Sequence, residues 1–449
     1  MTRAKKNKLP ISRIEKDALI GRRQLETLTF LFTTSFYPPY HLGGDAVHVH
    51  RLATELARRG HDVHVLHSHD AFRVKRSEPI PTEQAVGVVV HSIRTPFSLS
   101  AYQAYAFGGS AVVTKRFHEL VEELKPDVVH HHNISLLGSR ILSKHGDYLN
   151  LYTAHDYWLI CPESLLLRGG SRVCGTASCF FCTLTRPRQL WRYRASFRNA
   201  INDIDVLIAP SQYCCDRMMR KLKIDTVTIP NFAPVPPTGI GSSGFSDFLL
   251  FVGVLEVHKG IVEFLQEYLD IARDVNLNLV IVGEGGKKST IDRLVNGSKV
   301  SDRIFRLGRV GQDLLWSLLS DARALIIPSI WPENAPLVAL EALSVGTPVV
   351  GSNRGGLPEI VSKLDPQLVF SLESFDIRRA IRFASENSAS LRERARETYR
   401  KHFTPELYLR AYEDLLLDLF ASESVELTEA ADSAMIGSKY KYAKREGQD

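Results

Sequence analysis

Residues 231–246, NFAPVPPTGIGSSGFS, are rich in proline, glycine and serine, and they cut the chain into two parts that follow one scheme. Each part alternates short strand-like apolar runs with segments whose apolar residues recur at helical spacing. Ahead of the cut come LTFLFTT (28–34), the helical AVHVHRLATELARRG, and HDVHVLHS. DVVHHH (127–132), YLNLYTA (148–154) and DVLIAPS (205–211) read as further strands. Behind the cut, FLLFVGV (248–254) reads as a strand and KGIVEFLQEYLDIARD as a helix. LNLVIVGEGG, RIFRLG, ARALIIPS and TPVVGS follow as strands with helices between them. Such alternation builds parallel sheets covered by crossover helices. The pattern predicts an α/β fold of two doubly wound parallel-sheet domains facing across a cleft. Ligands bind such sheets beyond the carboxyl ends of the strands. The loops to watch are Gly43-Gly44, His155-Asp156, Gly253 to Lys259, Gly283 to Gly286, and Glu333 to Leu337.

The 449 residues suffice for two to three domains, and 44% hydrophobic with 24% charged residues fits a soluble globular protein. No apolar run is long enough for a spanning helix. The N-terminus is basic without the apolar stretch of a signal peptide, so a cytoplasmic protein is expected. Residues 1–23 hold eight Lys/Arg and two acids, which equals the net +6 of the whole chain. That arm offers only a weak footing for anionic lipid or nucleic acid, and no nucleic-acid function is expected.

The segment PSIWPENAPLVALEALSVGTPVV (328–350) reads as a turn followed by a short helix. Pro336 suits the helix start, and Asn334 or the adjoining backbone could cap it. Gly346 and Pro348 stop it. Glu333 precedes the helix, so it shares a space with free N–H groups that favour an anion. Glu341 lies among Leu337, Val338, Leu340 and Leu343; it either faces solvent or is buried with hydrogen-bond partners.

The ordered set GGDAVHVHRLATELARRGHDVHVL, DVVHHHN, HDYW, FVG…KGI, LVIVGEG, PSIWPENAPLVALEAL, GTPVVGS and GGLPEIV resembles the group 1 (family 4) glycosyltransferases. The resemblance implies the GT-B architecture, two Rossmann-like domains. It implies an acceptor-side domain (27–230) with a cysteine-bearing insertion (157–185), set between a basic, disordered arm (1–26) and a linker (231–246), both read from composition. A nucleotide-sugar-binding domain (247–403), a crossing-back helix (404–420) and a disordered tail (421–449) complete it. It further implies a retaining transferase that moves a sugar from a nucleoside-diphosphate sugar to a glycan or lipid-linked acceptor. The setting would be cell-surface polysaccharide or glycolipid assembly, with no metal at the diphosphate. Glu341 would hold the ribose and Glu333 the donor sugar. The backbone from Asn334 through Ala335 and Pro336 to Leu337 would hold the diphosphate or sugar, with Lys259 as phosphate-binding lysine. Gly44 and Gly283 would let the backbone approach the donor, and His155 would lie near the donor sugar. One departure stands out: Val254 occupies the place of an expected arginine, and Arg309 is a candidate substitute. Rival readings are a sugar-nucleotide epimerase or hydrolase of the same architecture, and a non-catalytic binding partner.

Cys161, Cys174, Cys179 and Cys182 crowd one stretch and end in a CxxC. In a reducing compartment they read as a structural zinc site, an iron–sulfur cluster being the second choice and free buried thiols the third reading. Cys214 and Cys215 read as ordinary. His130 to His132 alternate along a strand, so no metal is expected there; His132 or Asn133 at most lines the cleft. RPRQLWRYRASFRNAI, with Arg186, Arg188, Arg192, Arg194 and Arg198, reads either as a basic aromatic helix for an anionic membrane surface or as a solvated helix.

Overall fold

The computed structural model describes residues 27–75, 78–80, 85–168, 172–175, 179–185, 189–373 and 376–422. The basic arm, the C-terminal tail beyond residue 422, Arg186 and Arg188 lie outside them. In the first lobe the strands β1 (Thr29–Thr34), β2 (Asp62–Ser68), β3 (Val88–Ile93), β4 (Val128–His131) and β5 (Leu149–Thr153) come first. A small antiparallel hairpin follows, β6 (Leu167–Arg168) with β7 (Arg172–Val173), and then β8 (Val206–Ala209) and β9 (Thr226–Thr228). The sheet runs β3-β2-β1-β4-β5-β8-β9 and is parallel throughout.

The second lobe holds β10 (Phe248–Val252), β11 (Asn278–Val282), β12 (Ile304–Gly308), β13 (Ala324–Ile327), β14 (Val349–Ser352) and β15 (Val369–Phe370). Its parallel order is β12-β11-β10-β13-β14-β15. In each sheet the first strand sits centrally, the chain winds to one side, then reverses. The reversal falls between β1 and β4, and between β10 and β13. Those two gaps are the topological switch points, where the crevices open.

The strands read as near-continuous apolar runs because both faces are covered. FLLFV of β10 and ALII of β13 are buried almost throughout. In the first lobe, the helix Gly44–Arg58 and the helix of residues 405–422 cover one face. Tyr408, Leu409, Tyr412 and Leu416 of that last helix pack with Phe30, Phe32 and Leu52. The helix thus returns from the second lobe to complete the first lobe's core. Arg59 clamps it through Glu406 and Glu413, at 2.6 and 2.5 Å. The tyrosine hydroxyl of Tyr412 lies 2.9 Å from His130 Nδ1. The connection at 231–246 is not a loose linker at its start. Phe232 and Ala233 are buried, and Ala233 N–H donates to the Phe403 carbonyl at 3.1 Å.

Strand alternation sorts the three histidines as expected. His130 and His132 share a face, and His131 turns the other way to Thr33 Oγ1 at 2.6 Å. Burial holds all three imidazoles well below their ordinary range, so they are neutral.

Candidate active site

The loop after β10 and the loop after β13 meet at the second switch point, and a glycine makes the meeting possible. Gly260 has φ +68°, and a Cβ there would stand 1.9 Å from the Pro328 carbonyl oxygen. Its bare Cα lets the short turn Val257–Lys259 lie against the 328–336 loop. Lys259 Nζ then reaches Glu333 Oε1 at 2.6 Å, and Ser329 Oγ donates to the same oxygen at 2.6 Å. Glu333 is 3% exposed. Burial pushes its carboxyl up, but the Lys259 charge and the hydrogen bonds from Lys259 and Ser329 outweigh that. The group is held below the usual carboxylate range. Lys259 also sits 5.1 Å over the Trp331 ring.

The helix Leu337–Val345 starts beside this pair. Its first N–H groups have no intrahelical partners. Pro336 takes the cap position in an extended conformation, and no side chain caps the helix. The expected Asn334 cap does not form. Asn334 Nδ2 instead donates across the cleft to the Ala154 carbonyl at 3.0 Å, while Asn231 Nδ2 holds the Ala335 carbonyl at 3.0 Å. The loop's shape is fixed from outside by Gly355 and Gly356. Gly356 N–H donates to the Glu333 carbonyl at 2.6 Å, and a Cβ at Gly355 would lie 2.1 Å from that oxygen. This explains the GGLPE run.

Glu341 is 6% exposed, which excludes the solvent-facing reading. Arg51, on the first-lobe helix, pairs with its carboxylate through Nη2. Both side chains are largely buried, so the pair joins the lobes. Gly44 opens that same helix opposite Leu337, whose Cδ1 would be 3.6 Å from an added Cβ. Gly283 has φ +139°, and an added Cβ would strike the Gly253 carbonyl oxygen at 1.8 Å. Its visible role is to let the loops after β10 and β11 touch. Val254 is part-exposed and adds no charge. Arg309 stands exposed after β12.

In the first lobe, β5 ends at Thr153 and delivers His155 to the cleft. Its Nε2 lies 2.9 Å from His132 Nδ1, and His48 packs edge-on at 4.9 Å. Burial lowers the imidazole to about 4, against the opposing pull of Asp45. Asp45 accepts from Asn133 Nδ2 at 2.7 Å. His132 and Asn133 therefore stand behind the cleft residues rather than apart from them.

Two expectations fail. Among the described residues, no three His, Cys, Asp or Glu are placed to hold one metal ion. The zinc or iron–sulfur reading of Cys161, Cys174, Cys179 and Cys182 is therefore unsupported. The four sit on separate pieces: a turn, the end of β7, and one face of the helix Cys179–Thr185, where Cys179 Sγ faces the Ile160 carbonyl at 3.8 Å. Burial, with the neighbouring thiols, keeps Cys161 and Cys174 protonated at neutral pH. The basic aromatic helix is also broken, into a turn Leu190–Tyr193 and a helix Ala195–Asn202. Trp191 and Phe197 are buried. Arg192 lies over both and over Trp158, and donates to the Trp158 carbonyl at 2.7 Å.

The family model for Glycosyltransferase Family 4 matches residues 42–235, and that for Glycosyl transferases group 1 matches residues 241–402. The chain belongs to this glycosyltransferase family. N-acetyl-alpha-D-glucosaminyl L-malate synthase of Bacillus anthracis is 23% identical over 397 residues, 85% of this chain and 96% of that protein. Sucrose-phosphate synthase of Thermosynechococcus elongatus superposes with a TM-score of 0.68 at 18% identity, covering 88% of this chain and all of that one. WaaG, a glycosyltransferase involved in lipopolysaccharide biosynthesis, gives 0.62 at 18%, over 85% and 98%. These likenesses establish the GT-B fold.

Proposed function

We propose that this glycosyltransferase is a retaining hexosyltransferase using a nucleoside-diphosphate sugar. The observation that carries the reading is the buried Lys259–Glu333 pair beside an uncapped helix start. A diphosphate fits that space: the Lys259 ammonium and the first N–H groups of the helix at Leu337 face it. As the glycosidic bond to the diphosphate breaks, negative charge grows on the leaving oxygen. A fixed cation and oriented N–H groups stabilise that charge more than the ground state. Glu333, ionised, takes hydroxyls of the donor sugar. Glu341, held by Arg51, accepts from the ribose hydroxyls. His155, neutral above about pH 4, donates to a sugar hydroxyl without adding charge. Retention of anomeric configuration rests on the family resemblance.

The acceptor, a glycan or lipid-linked saccharide, enters from the first lobe, in assembly of cell-surface polysaccharide or glycolipid at the cytoplasmic face of a membrane. Among the described residues no helix is long and apolar enough to cross one. Thermal shift against a panel of nucleoside-diphosphate sugars tests the donor. The right donor raises the midpoint in the native chain and not in Lys259→Met. Acceptor-dependent turnover, with the product anomer read by NMR, separates a retaining transferase from an epimerase or hydrolase. Donor turnover independent of acceptor would overturn the proposal.

A further inference from the structure

Exposed large apolar side chains concentrate on one side of the first lobe. After β3 ends at Ile93, the chain makes a turn that holds Phe97 and Ser98 at φ +53° and +55°. Left-handed backbone is unfavourable for both residue types. Phe97 is 92% exposed, so folding gains nothing from its ring. The turn is nonetheless built with care. The buried Asp70 carboxylate accepts from Thr95 N–H at 3.0 Å, from the Thr95 hydroxyl, and from Ser100 Oγ at 2.6 Å. Ser100 N–H donates to Thr95 Oγ1 at 3.0 Å.

The helix Leu99–Phe107 follows and contains no charged residue. Tyr102 and Phe107 are 57% and 64% exposed, with Leu99 and Tyr105 also outside. Trp191 ties this helix to the next segment, its Nε1–H donating to the Tyr105 carbonyl at 3.1 Å. Exposed Leu190 and Tyr193 extend the face. Such a patch on a soluble lobe marks a contact surface.

Charge selects the occupant. Residues 95–118 and 179–202 contain seven Lys/Arg and no Asp or Glu. Lys115 and Arg116 are matched by Glu119 and Glu123. Arg140, Arg194 and Arg198 are exposed, and none of them pairs with a carboxylate among the described residues. Phe107, Arg140, Ser143, Trp191, Arg194 and Ser196 line a shallow hollow of about 340 Å³. Apolar rings beside a cation-lined hollow match acyl chains and an anionic headgroup. A second copy is disfavoured, because an isologous contact would bring the same arginines face to face.

We infer that the Phe97 turn, the helix Leu99–Phe107 and the Leu190–Arg198 segment dock on an anionic bilayer surface. The face begins at the carboxyl end of β3, the outer strand of the sheet, on the strand-end side where the crevice opens. It would therefore present the acceptor side of the lobe to lipid. The inference builds on the reading of a lipid-linked acceptor, but its test is separate.

Co-sedimentation of the full chain with phosphatidylcholine vesicles, with and without phosphatidylglycerol, decides it. The native chain should bind only the mixed vesicles, less tightly at high salt. The triple variant Phe97→Ser, Tyr102→Ser, Phe107→Ser should lose about tenfold or more in partitioning. Arg194→Gln with Arg198→Gln should weaken binding to the mixed vesicles. Phe97→Gly should raise the thermal midpoint while weakening binding, which a folding defect would not do. All these variants should keep the donor-induced thermal shift; loss of that shift in the native chain would instead indict the donor reading. Undiminished binding by the triple variant overturns the inference, including binding that vanishes only when residues 1–23 are removed. A dimer that buries this face and ignores vesicles overturns it too.

Discussion

Replacing Lys259 by methionine tests the donor side at its centre. The Lys259–Glu333 pair is short and mostly buried, with side-chain exposures of 22% and 5%. Methionine keeps most of the stem, so the change isolates the charge. Removing one partner of a buried pair leaves an uncompensated charge and costs about 3–5 kcal/mol. The part-exposed Lys259 and the remaining Ser329 bond put this case near the low end, about 3 kcal/mol. For a lobe of this size that is roughly 6–12 °C in the unfolding midpoint. The pH dependence is equally specific. In the native chain Glu333 titrates below its ordinary value, so the pair's contribution is present at neutral pH and lost as pH falls through the folded value. Without Lys259, burial outweighs the remaining Ser329 bond and raises the carboxyl. The variant should then be least stable near neutrality and regain part of the deficit toward about pH 5. Glu333→Gln in the Lys259→Met background should restore stability but not turnover. Turnover of the single variant should fall about 10²–10³-fold, the effect of removing one transition-state donor. Calorimetry from pH 4 to 8 with single-turnover kinetics gives both readings. A Lys259→Met midpoint matching the native chain at every pH would refute the buried-pair argument.

Gly260→Ala should cost about 3 kcal/mol or more and abolish donor binding, since its Cβ would strike the Pro328 carbonyl; urea unfolding and donor titration check it. The pH profile of kcat/KM should show no limb from His155 between pH 5 and 8, because its imidazole is neutral down to about 4. An acidic limb near 6.5 that disappears in His155→Ala would contradict this. Arg51→Ala should raise the donor KM about tenfold or more by leaving the buried Glu341 without its partner, with initial-rate kinetics as the measure.

Much of the fold was legible because parallel strands buried on both faces are written as unbroken apolar runs. FLLFV, NLVIV and ALII became β10, β11 and β13 with little adjustment. The loops of the proposed donor site were legible for the same reason, since they directly follow those strands. Partners between lobes were not. Nothing in the sequence around residue 51 foretells a pairing 290 positions away, nor that Asn334 reaches Ala154. Those contacts depend on how two finished lobes sit together. The arginine-aromatic run at 186–198 misled because composition does not say which face is covered; Trp191 and Phe197 turned inward. The cysteine spacing did bring neighbouring thiols to Cys174, yet among the described residues no three side chains stand as ligands of one metal ion. The exposed Phe97 gave a signal only in three dimensions, through its backbone angles.

The return of residues 405–422 to the first lobe has a consequence for biosynthesis. Tyr408, Tyr412 and Leu416 cover β1, yet they are translated long after it. A nascent chain must carry Phe30 and Phe32 with that side uncovered until almost all of the second lobe has emerged from the ribosome. During that interval the early half is an open sheet face, the natural client of a holding chaperone. A premature stop anywhere before residue 408 would strand it in that sticky state, even with Lys259, Glu333 and Glu341 already in place.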